Sequence, residues 1–307
     1  MSEQTNQLSA DTSTRVEQIR AVPLRHPLRN ITAVFLLIMV ASFIYDASHR
    51  AIYDWATYKE YIFHPRILSG VVVTLELTFY SMVIAVLLGV IFAVMRQSPN
   101  PILKSIAWTF IWFFRGTPVY VQLVFWGLLS TVYPSITLGI PHVGNLVTFS
   151  SINSMSLFTL AVIGLSLNEA AYMAEIVRAG LLSVDRGQEE AAKALGMGWS
   201  LSMRRIVIPQ AMRIIIPPTG NEVISMLKTT SLVTAIPLTL DLYMASRDIS
   251  AVTYKPVPLL LVASTWYLVF TSILMLLQYF LEKRFARGYA EMGLKLETVA
   301  LEGTGAG

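Results

Sequence analysis

Long apolar segments are the feature that most constrains this chain of 307 residues. A helix needs about 20 mostly apolar residues to cross the hydrocarbon core of a bilayer. Because that core offers no water to the backbone, uninterrupted apolar segments cross it as helices. We therefore expect an all-α fold, a polytopic membrane helical bundle. Hydropathy predicts six spanning segments, at approximately 30–47, 68–95, 105–131, 156–180, 212–240 and 257–281.

The third segment is interrupted by Arg115-Gly116-Thr117-Pro118. Proline lacks a backbone donor and ends or kinks a helix when it lies in the helix interior. A second interpretation therefore makes residues 101–114 an interfacial helix, with the membrane span beginning at Gly116.

Composition supports the membrane assignment. Hydrophobic residues make up 54% of the chain and charged residues only 14%, whereas a soluble domain has about 25% charged residues. The net charge of +4 is not gathered into a basic patch with interleaved aromatic residues, which argues against a nucleic-acid-binding protein. The sequence has no cysteine, so disulfides, thiolate metal sites and cysteine nucleophiles are excluded.

The two ends differ from the apolar body. Residues 1–29 are polar and rich in Ser, Thr and Gln, which predicts a disordered cytoplasmic tail. An extra N-terminal helix with an external loop is expected over 30–66, and a transmembrane domain over 67–284. A cytoplasmic C-terminal tail is expected over 285–307, with a loose end from Leu301.

The distribution of Lys and Arg predicts the orientation in the membrane. With the N-terminus inside, 17 of these residues lie on the inner side and 5 on the outer side, and Lys228 falls within a span. Both termini are therefore predicted to be cytoplasmic. The connection at 183–210, between the fourth and fifth segments, is then cytoplasmic as well.

This connection predicts two short helices separated by a turn. Gln188 to Leu195 are strong helix formers, and Gly196 suits the left-handed position that follows a helix. Ser200 is a candidate N-cap for the second helix, which is expected to end or kink at Pro209. The small side chains of the first helix fit two placements equally well, in the groove of a partner protein or on the membrane surface.

The same connection carries a family resemblance. Glu190-Ala191-Ala192 is followed by Gly196, Ile206 and Pro209, a pattern that resembles the EAA motif of ABC importer permeases. Other segments resemble the polar amino-acid uptake permeases in family order and spacing: Arg115-Gly116-Thr117-Pro118 with Gln122, residues 171–178, residues 187–192 and residues 228–232.

The resemblance implies the type I ABC importer permease fold, a five-helix core, here with one extra N-terminal transmembrane helix, in a bacterial plasma (inner) membrane. It implies three kinds of partner: ABC ATPase subunits, an extracytoplasmic solute-binding protein and a second permease subunit. In that family the EAA helix docks on the ATPase, which assigns ATPase coupling to Gln188, Glu190, Ala191, Ala192, Leu195 and Gly196.

The resemblance also implies that the chain is not an enzyme and binds no cofactor, with ATP and Mg carried by the partner ATPase. The sequence agrees, because it contains no G-x-x-x-x-G-K-[ST] phosphate-binding loop. The energy of ATP must therefore reach this chain from another one.

Ionisable side chains within membrane spans cost about 2.5–3.5 kcal/mol on insertion scales, so they invite a functional interpretation. The candidates are Glu76, Glu169, Glu175, Glu222 and Lys228. Glu175 and Arg178 are three residues apart on one helix, which predicts a structural ion pair.

A zwitterionic amino acid needs an anion for its ammonium group and hydrogen-bond donors for its carboxylate. These needs predict a substrate path lined by Gln122, Asn168, Glu169, Lys228, Thr229 and Ser231. The competing interpretation, slightly favoured, is that Glu169 and Lys228 form an ion pair that only joins two helices.

Two other classes of function remain open. A proton-coupled secondary transporter of amino-acid-like solutes would use Glu76 or Glu169 as a proton relay, although no inverted pair of broken helices is present. A channel or membrane scaffold would need no ATPase. Within the permease family, the solute and the choice between homodimer and heterodimer also remain open.

Overall fold

The computed structural model describes residues 27–132, 136–140, 144–149, 155–236, 238 and 240–303. Residues 1–26 of the tail predicted at 1–29 lie outside the described residues. The chain divides into two compact units, Met1–Tyr53 and Asp54–Gly307.

The first unit contains one long helix. Helix α1 (Pro27–His49) is followed by a 3-10 turn at Ala51–Tyr53. Its segment Leu28–His49 is long and apolar enough to cross a membrane. The helix begins with a proline, whose missing N–H has no intrahelical partner at that position in any case. The last residues of the predicted tail are therefore helical.

The second unit is built from ten helices and one hairpin within the described residues. The helices are α2 (Trp55–Tyr61), α3 (Pro65–Gln97), α4 (Pro101–Gly116), α5 (Val119–Val132), α6 (Leu157–Leu182), α7 (Arg186–Ala194), α8 (Trp199–Ser202), α9 (Ile208–Thr229), α10 (Leu242–Thr253) and α11 (Pro256–Gly303). The predicted helical bundle is therefore confirmed. Three of these helices contain segments long and apolar enough to span a membrane, Pro65–Gln97, Leu157–Leu182 and Pro256–Phe285.

The hairpin was not predicted from the sequence. Strands β1 (Ile136–Ile140) and β2 (Gly144–Phe149) pair antiparallel, with Ile136 opposite Phe149 and an irregularity between Leu138 and Gly139. Both strands lie in the connection between the third and fourth apolar segments, where hydropathy carries no information on strands.

The third predicted span is two helices rather than one. Helix α4 ends at Gly116, and α5 begins at Val119 directly after Pro118. The second interpretation, with a separate helix before the proline, is therefore the correct one for the chain path. Helix α4 starts where Asn100 caps the N–H of Ile102 at 2.9 Å, one residue ahead of a proline at the first helical position.

The fifth predicted span also has wrong bounds. Helix α9 starts at Ile208 and ends at Thr229, and a 3-10 turn at Thr230–Ala235 follows. Hydroxyl groups near the break compete for backbone carbonyls: Thr230 donates to Leu227 at 2.7 Å and Ser231 donates to Lys228 at 2.7 Å. Such local bonds favour the departure from regular α-helix. Helix α10 was not predicted.

The last helix is longer than the sixth predicted span. The backbone of α11 is helical to Gly303, so the start of the predicted loose end at Leu301 is helical. The residues after the apolar stretch include many Glu, Lys, Leu and Ala, which are good helix formers.

Helices α3 and α6 pack side by side at the centre of the main core. Leu77, Leu165 and Met173 are fully buried there, together with Met226 from α9. A methyl group on Gly89 would collide with the Met173 side chain and the backbone of Ala174. A glycine at this position therefore permits the close approach of the two helices.

A second buried cluster joins α10 to α3 and α11 through Ile67, Leu242 and Leu259. Two ion pairs lie at the same end of the unit. Arg66 pairs with Asp248 at 2.7 Å. Lys255 pairs with Asp54 at 2.8 Å. The first pair holds α10 to the start of α3, and the second holds the residue before α11 to the N-cap of α2.

Candidate functional site

The segment between α6 and α9 begins with a capped helix. Ser183 closes α6, and the Asp185 carboxylate accepts a hydrogen bond from the N–H of Gly187 at 2.7 Å. Because Ser, Asp and Asn satisfy free N–H groups at helix starts, this aspartate fixes where α7 begins. The observed helix, Arg186–Ala194, matches the one predicted from Gln188 onward.

Gly196 ends α7 in the predicted left-handed conformation, with φ 72°. Its N–H donates to the carbonyl of Lys193 at 2.9 Å, and the N–H of Met197 donates to Ala192 at 3.0 Å. This pair of bonds is the Schellman motif, which needs a left-handed residue and so favours glycine. The prediction for the backbone of Gly196 is confirmed.

Helix α7 presents most of its side chains to the outside. Ala192 is buried, and α7 contacts α8 and the turn that follows α8. Gln188, Glu190, Ala191 and Leu195 are exposed. The Leu195 side chain is 81% exposed, and Trp199 at the start of α8 is 74% exposed. The segment therefore displays an apolar surface beside acidic and amide groups.

The second short helix differs from the prediction at its start. Its N-cap is Gly198, and Ser200 lies inside the helix, so the predicted cap was wrong. The helix ends at Ser202, before Pro209, but the chain remains helical. A π-helical turn at Met203–Val207 leads directly into α9, and Pro209 lies in the first turn of α9. Proline is tolerated there because a first-turn N–H has no intrahelical acceptor.

Gln122 and Asn168 meet at the break between α4 and α5. The Gln122 amide donates to the carbonyls of Phe114 and Thr117, each at 3.0 Å, and to the Thr117 hydroxyl at 2.7 Å. The Asn168 amide donates to the same Phe114 carbonyl at 3.0 Å and to the Gln122 side-chain oxygen at 3.2 Å. These amides satisfy carbonyls that the Pro118 break leaves without helical partners.

Glu169 follows Asn168 on α6 and is almost completely buried, with 7% exposure. Its Oε1 atom is buried and has no hydrogen-bond partner among the described residues. The carboxyl group of Glu222 on α9 is close enough to interact with it directly. Two neighbouring carboxyl groups inside an apolar bundle form a site that attracts a cation or a proton.

Arg115 completes this cluster from the end of α4. Its guanidinium carbon lies 5.1 Å from the centre of the Tyr172 ring, within range of a cation–π interaction. It also acts electrostatically on Glu222. The cluster thus joins α4, α6 and α9 and contains more acid than base.

The predicted partner of Glu169 is elsewhere. Lys228 is exposed, and Glu169 takes part in no salt bridge within the described part of the chain. The ion pair proposed as the competing interpretation is therefore wrong. The hydroxyls of Thr229 and Ser231 bond to carbonyls of Ser225 and Lys228 in their own segment. The structure thus brings together three of the six predicted path residues, Gln122, Asn168 and Glu169.

The predicted pair of Glu175 and Arg178 is confirmed. The guanidinium contacts the carboxylate at 2.5 and 3.0 Å on the cytoplasmic half of α6 as the sequence orients it. Both charges are therefore engaged with each other.

The substrate path predicted from the sequence does not include Glu222, Arg115 or Tyr172. Arg115 and Tyr172 stand inside the segments that carry the family resemblance, and Glu222 is an acid within a predicted span. The signal was therefore present, but it did not reveal that three helices bring these side chains to one place.

A cavity of about 1160 Å³ lies between α3, α6, α9 and α11. Its walls are mainly apolar, with Val90, Val177 and Ile215 among the lining residues. Gln122, Asn168 and Glu169 do not line it. The acidic cluster is therefore a separate feature from this cavity.

The helices and the segment between α6 and α9 define a multi-pass membrane protein of the permease type. A sequence model of the family described as "Binding-protein-dependent transport system inner membrane component" matches residues 85–287. The chain belongs to this family.

Curated relatives agree. The chain is 55% identical over 287 residues to the arginine transport system permease protein ArgU of Corynebacterium glutamicum, a match covering 92% of this chain and 88% of the relative. It is 39% identical to the nopaline transport system permease protein NocM of Agrobacterium fabrum, covering 68% and 83%. It is 37% identical to the histidine/lysine/arginine/ornithine transport system permease protein HisM of Escherichia coli K12, covering 70% and 87%.

One solved structure supports the same family, and a second shares the fold. A chain of an amino acid ABC transporter crystallised with histidines is 36% identical, with a TM-score of 0.60, over 72% of this chain and 94% of that one. The inward-facing MetNI methionine ABC transporter is similar in fold, with a TM-score of 0.53 and 22% identity over 73% of this chain and 95% of that one. The resemblance to polar amino-acid permeases and the type I importer fold are therefore confirmed.

Proposed function

We propose that this chain is the membrane-spanning permease of an ATP-driven ABC importer that carries cationic amino acids. The observation that carries the substrate class is the cluster of Glu169 and Glu222. An amino acid such as arginine or lysine brings a positive side chain as well as an ammonium group, and both are attracted to paired carboxyl groups. Two relatives are named for the transport of arginine and of histidine, lysine, arginine and ornithine, which supports this choice.

The remaining predicted path residues take different roles in this proposal. Gln122 and Asn168 position the cluster because their amides are engaged with the α4 carboxyl end. Lys228, exposed at the end of α9, provides a cation for the substrate carboxylate further along the path. Thr229 and Ser231 lie beside it and contribute hydroxyl oxygens.

The exposed surface of α7 is proposed to dock on the ATPase. Gln188, Glu190, Ala191 and Leu195 form the contact, with Ala192 and Gly196 fixing the helix and its end. A helix that offers small and apolar side chains on one side suits a groove in a partner protein. ATP and Mg are bound by that partner, and this chain catalyses no covalent reaction.

The family supports the wider assembly in this proposal, and the distribution of Lys and Arg supports the orientation of the termini. Two permease subunits line the path, an extracytoplasmic binding protein delivers the solute, and both termini of this chain face the cytoplasm of a bacterial cell. The permease domain extends over 67–284, and residues 30–66 add a helix to the five-helix core.

Reconstitution tests the proposal. The chain is placed in proteoliposomes with the ATPase subunit and the solute-binding protein of its importer, and uptake of labelled arginine, glutamine and glutamate is measured. We expect ATP-dependent arginine uptake that excess lysine inhibits and glutamate does not. Uptake that needs a proton gradient and not ATP would instead support the secondary transporter. Equal uptake of all three solutes would overturn the cationic substrate class.

A further inference from the structure

The cavity between α3, α6, α9 and α11 has no part in the proposed substrate path. Val86, Val90 and Val94 line it at intervals of four residues along α3, and Met173 and Val177 do so along α6. Residues four apart lie on the same face of a helix. Two apolar helix faces therefore form much of its wall, over a volume of about 1160 Å³.

Polar groups line the cavity where α3 ends and where the chain enters α9. Gln97 and Ser98 lie at the end of α3, and Ser200 and Arg204 lie on the helical segment that leads into α9. We call this end of the cavity the mouth. In the orientation proposed above, the mouth is on the cytoplasmic side. The cavity is therefore apolar between the helices and polar at its cytoplasmic end.

Two charged side chains line the cavity, Arg204 and Glu282. The Glu282 carboxylate accepts a hydrogen bond from the Gln278 amide at 2.8 Å. The Arg204 side chain is exposed, and its guanidinium forms no hydrogen bond or ion pair within the described part of the chain. Because the two charges are not paired with each other, the guanidinium keeps all its donors free for an anion.

The length of the cavity matches one leaflet of a bilayer. Arg204 and Gly220 both line it and belong to one continuous helical segment. At 1.5 Å per residue, the segment between them is about 24 Å long. Half of a bilayer contains about 15 Å of hydrocarbon and is about 20–22 Å deep with its headgroups. A lipid whose headgroup lies at Arg204 therefore has room for an acyl chain as far as Gly220.

We propose that the cavity binds an anionic phospholipid of the cytoplasmic leaflet, with its phosphate at Arg204 and an acyl chain between α3 and α11. The planar guanidinium donates paired hydrogen bonds to phosphate oxygens. Basic pockets between membrane helices on the cytoplasmic side bind anionic lipid headgroups. A second permease subunit could also cover apolar walls. The unpaired cation at the mouth, at the depth of the headgroups, favours the lipid.

The bound lipid has a consequence for α9. Pro217 and Gly220 line the cavity, and the Gln278 amide of α11 lies 3.4 Å from the carbonyl oxygen of Pro217. A proline inside a helix removes one backbone hydrogen bond. An acyl chain packed at this point therefore supports α9 where its own hydrogen bonding is reduced.

Native mass spectrometry of the assembled importer provides the first test. The complex is incubated with phosphatidylglycerol or with phosphatidylcholine of the same acyl chains, and we expect it to retain the anionic lipid preferentially. Arg204→Gln is expected to lower this retention about fivefold, which corresponds to about 1 kcal/mol. Arg205→Gln is the control, because Arg205 is exposed and does not line the cavity. Equal retention of both lipids, or equal losses in the two variants, would overturn the proposal.

Filling the cavity provides the second test. Val94→Trp is expected to abolish retention of phosphatidylglycerol, whereas Ile91→Trp, at an exposed position of α3 outside the cavity, is expected to preserve it. Both complexes are expected to keep two permease subunits. Retention of the lipid by Val94→Trp contradicts the site, and loss of the second subunit from that variant alone would identify a subunit interface instead. The inference rests on the proposed orientation and not on the transported solute, so lipid retention and solute uptake are separate measurements.

Discussion

The side-chain amide of Gln122 donates a hydrogen bond to the carbonyl oxygen of Phe114, eight residues earlier in the chain, at 3.0 Å. The same amide reaches Thr117, and Asn168 reaches Phe114 from α6. Two helix ends and a third helix are thus joined by two side-chain amides. Gln122 lies four residues after Pro118, and this spacing of about one helical turn places its amide next to the carboxyl end of α4.

Replacing Gln122 by Leu is expected to destabilise the permease. The substitution keeps the approximate size of the side chain but removes the amide bonds to Thr117 and one of the two amide bonds to the Phe114 carbonyl, at a cost of about 1–3 kcal/mol. Thermal unfolding of the purified protein measures the loss. Gln97→Leu is the matched control, because Gln97 makes a single long bond of 3.5 Å to Ala93 at the end of α3. An equal Tm for the two variants would argue against the capping role of Gln122.

Replacing Gly196 by Val is expected to weaken association with the ATPase. Gly196 has φ 72°, where a side chain with a Cβ atom costs about 1–2 kcal/mol. The Schellman end of α7 would then be disturbed. Gly198→Val is the control, because Gly198 has φ −65° and ψ 156° and no atom within 4 Å of an added Cβ. Co-purification of the ATPase with each variant provides the measurement. Normal co-purification and transport with Gly196→Val would exclude this docking role.

Replacing Glu169 by Gln is expected to reduce uptake of a cationic amino acid at least tenfold while the assembly stays intact. The amide has the same shape but no charge, and a tenfold loss corresponds to about 1.4 kcal/mol. Glu175→Gln on the same helix is the control, because that carboxylate is engaged with Arg178. Uptake is compared with the amount of assembled complex. Unchanged transport kinetics in Glu169→Gln would remove this residue from the path.

The pair of Asp54 and Lys255 predicts a pH dependence at acid pH. The hydrogen bond from the Lys255 ammonium, followed by those from Thr57, lowers the pKa of Asp54 from 3.8 to about 2. A lowered carboxylate pKa contributes stability that is present above pH 3.8 and is lost as the pH falls towards 2.

Thermal unfolding between pH 5 and pH 2, about the interval over which such a carboxylate takes up its proton, measures this contribution. We expect the difference in Tm between the parent protein and Asp54→Asn to shrink as the pH falls. In a Lys255→Gln background the difference in Tm that Asp54→Asn causes is expected to be smaller, because only the hydrogen bonds from Thr57 remain. A gap between parent and Asp54→Asn that stays constant over the whole range would contradict the ion pair.

The sequence does not predict which residues from distant parts of the chain come together. Apolar length predicts α3 and α6 because it is a local property, and Gly196 predicts the end of α7 because glycine alone tolerates that conformation well. The meeting of Glu169 with Glu222 depends on how α6 and α9 are aligned. That alignment rests on contacts such as Gly180 with Ile215, where a larger residue would not fit. Neither Gly180 nor Ile215 can be identified from the sequence as the contact partner of the other.

The predictions for Glu169 with Lys228 and for Pro209 rest on residue type alone, without the position of each residue in its helix. The ion pair of Glu169 with Lys228 was inferred from charge alone, without knowledge of which side of α9 each residue occupies. The sequence predicts an interruption at Pro209 because proline disrupts helix interiors. It is harmless where the preceding π-helical turn places it at the beginning of a new hydrogen-bond ladder.

The absence of a loop between α8 and α9 has a mechanical consequence. Trp199, beside the proposed docking surface, and Glu222, in the acidic cluster, belong to one continuous helical rod that passes through the π-helical turn. Pro217 and Pro218 lie between them and remove two backbone donors, so the rod is most compliant at that point. In the proposed coupling role, a force applied at the docking surface would reach the acidic cluster as bending about the two prolines, and the stiffness of that segment would set how far the cluster moves.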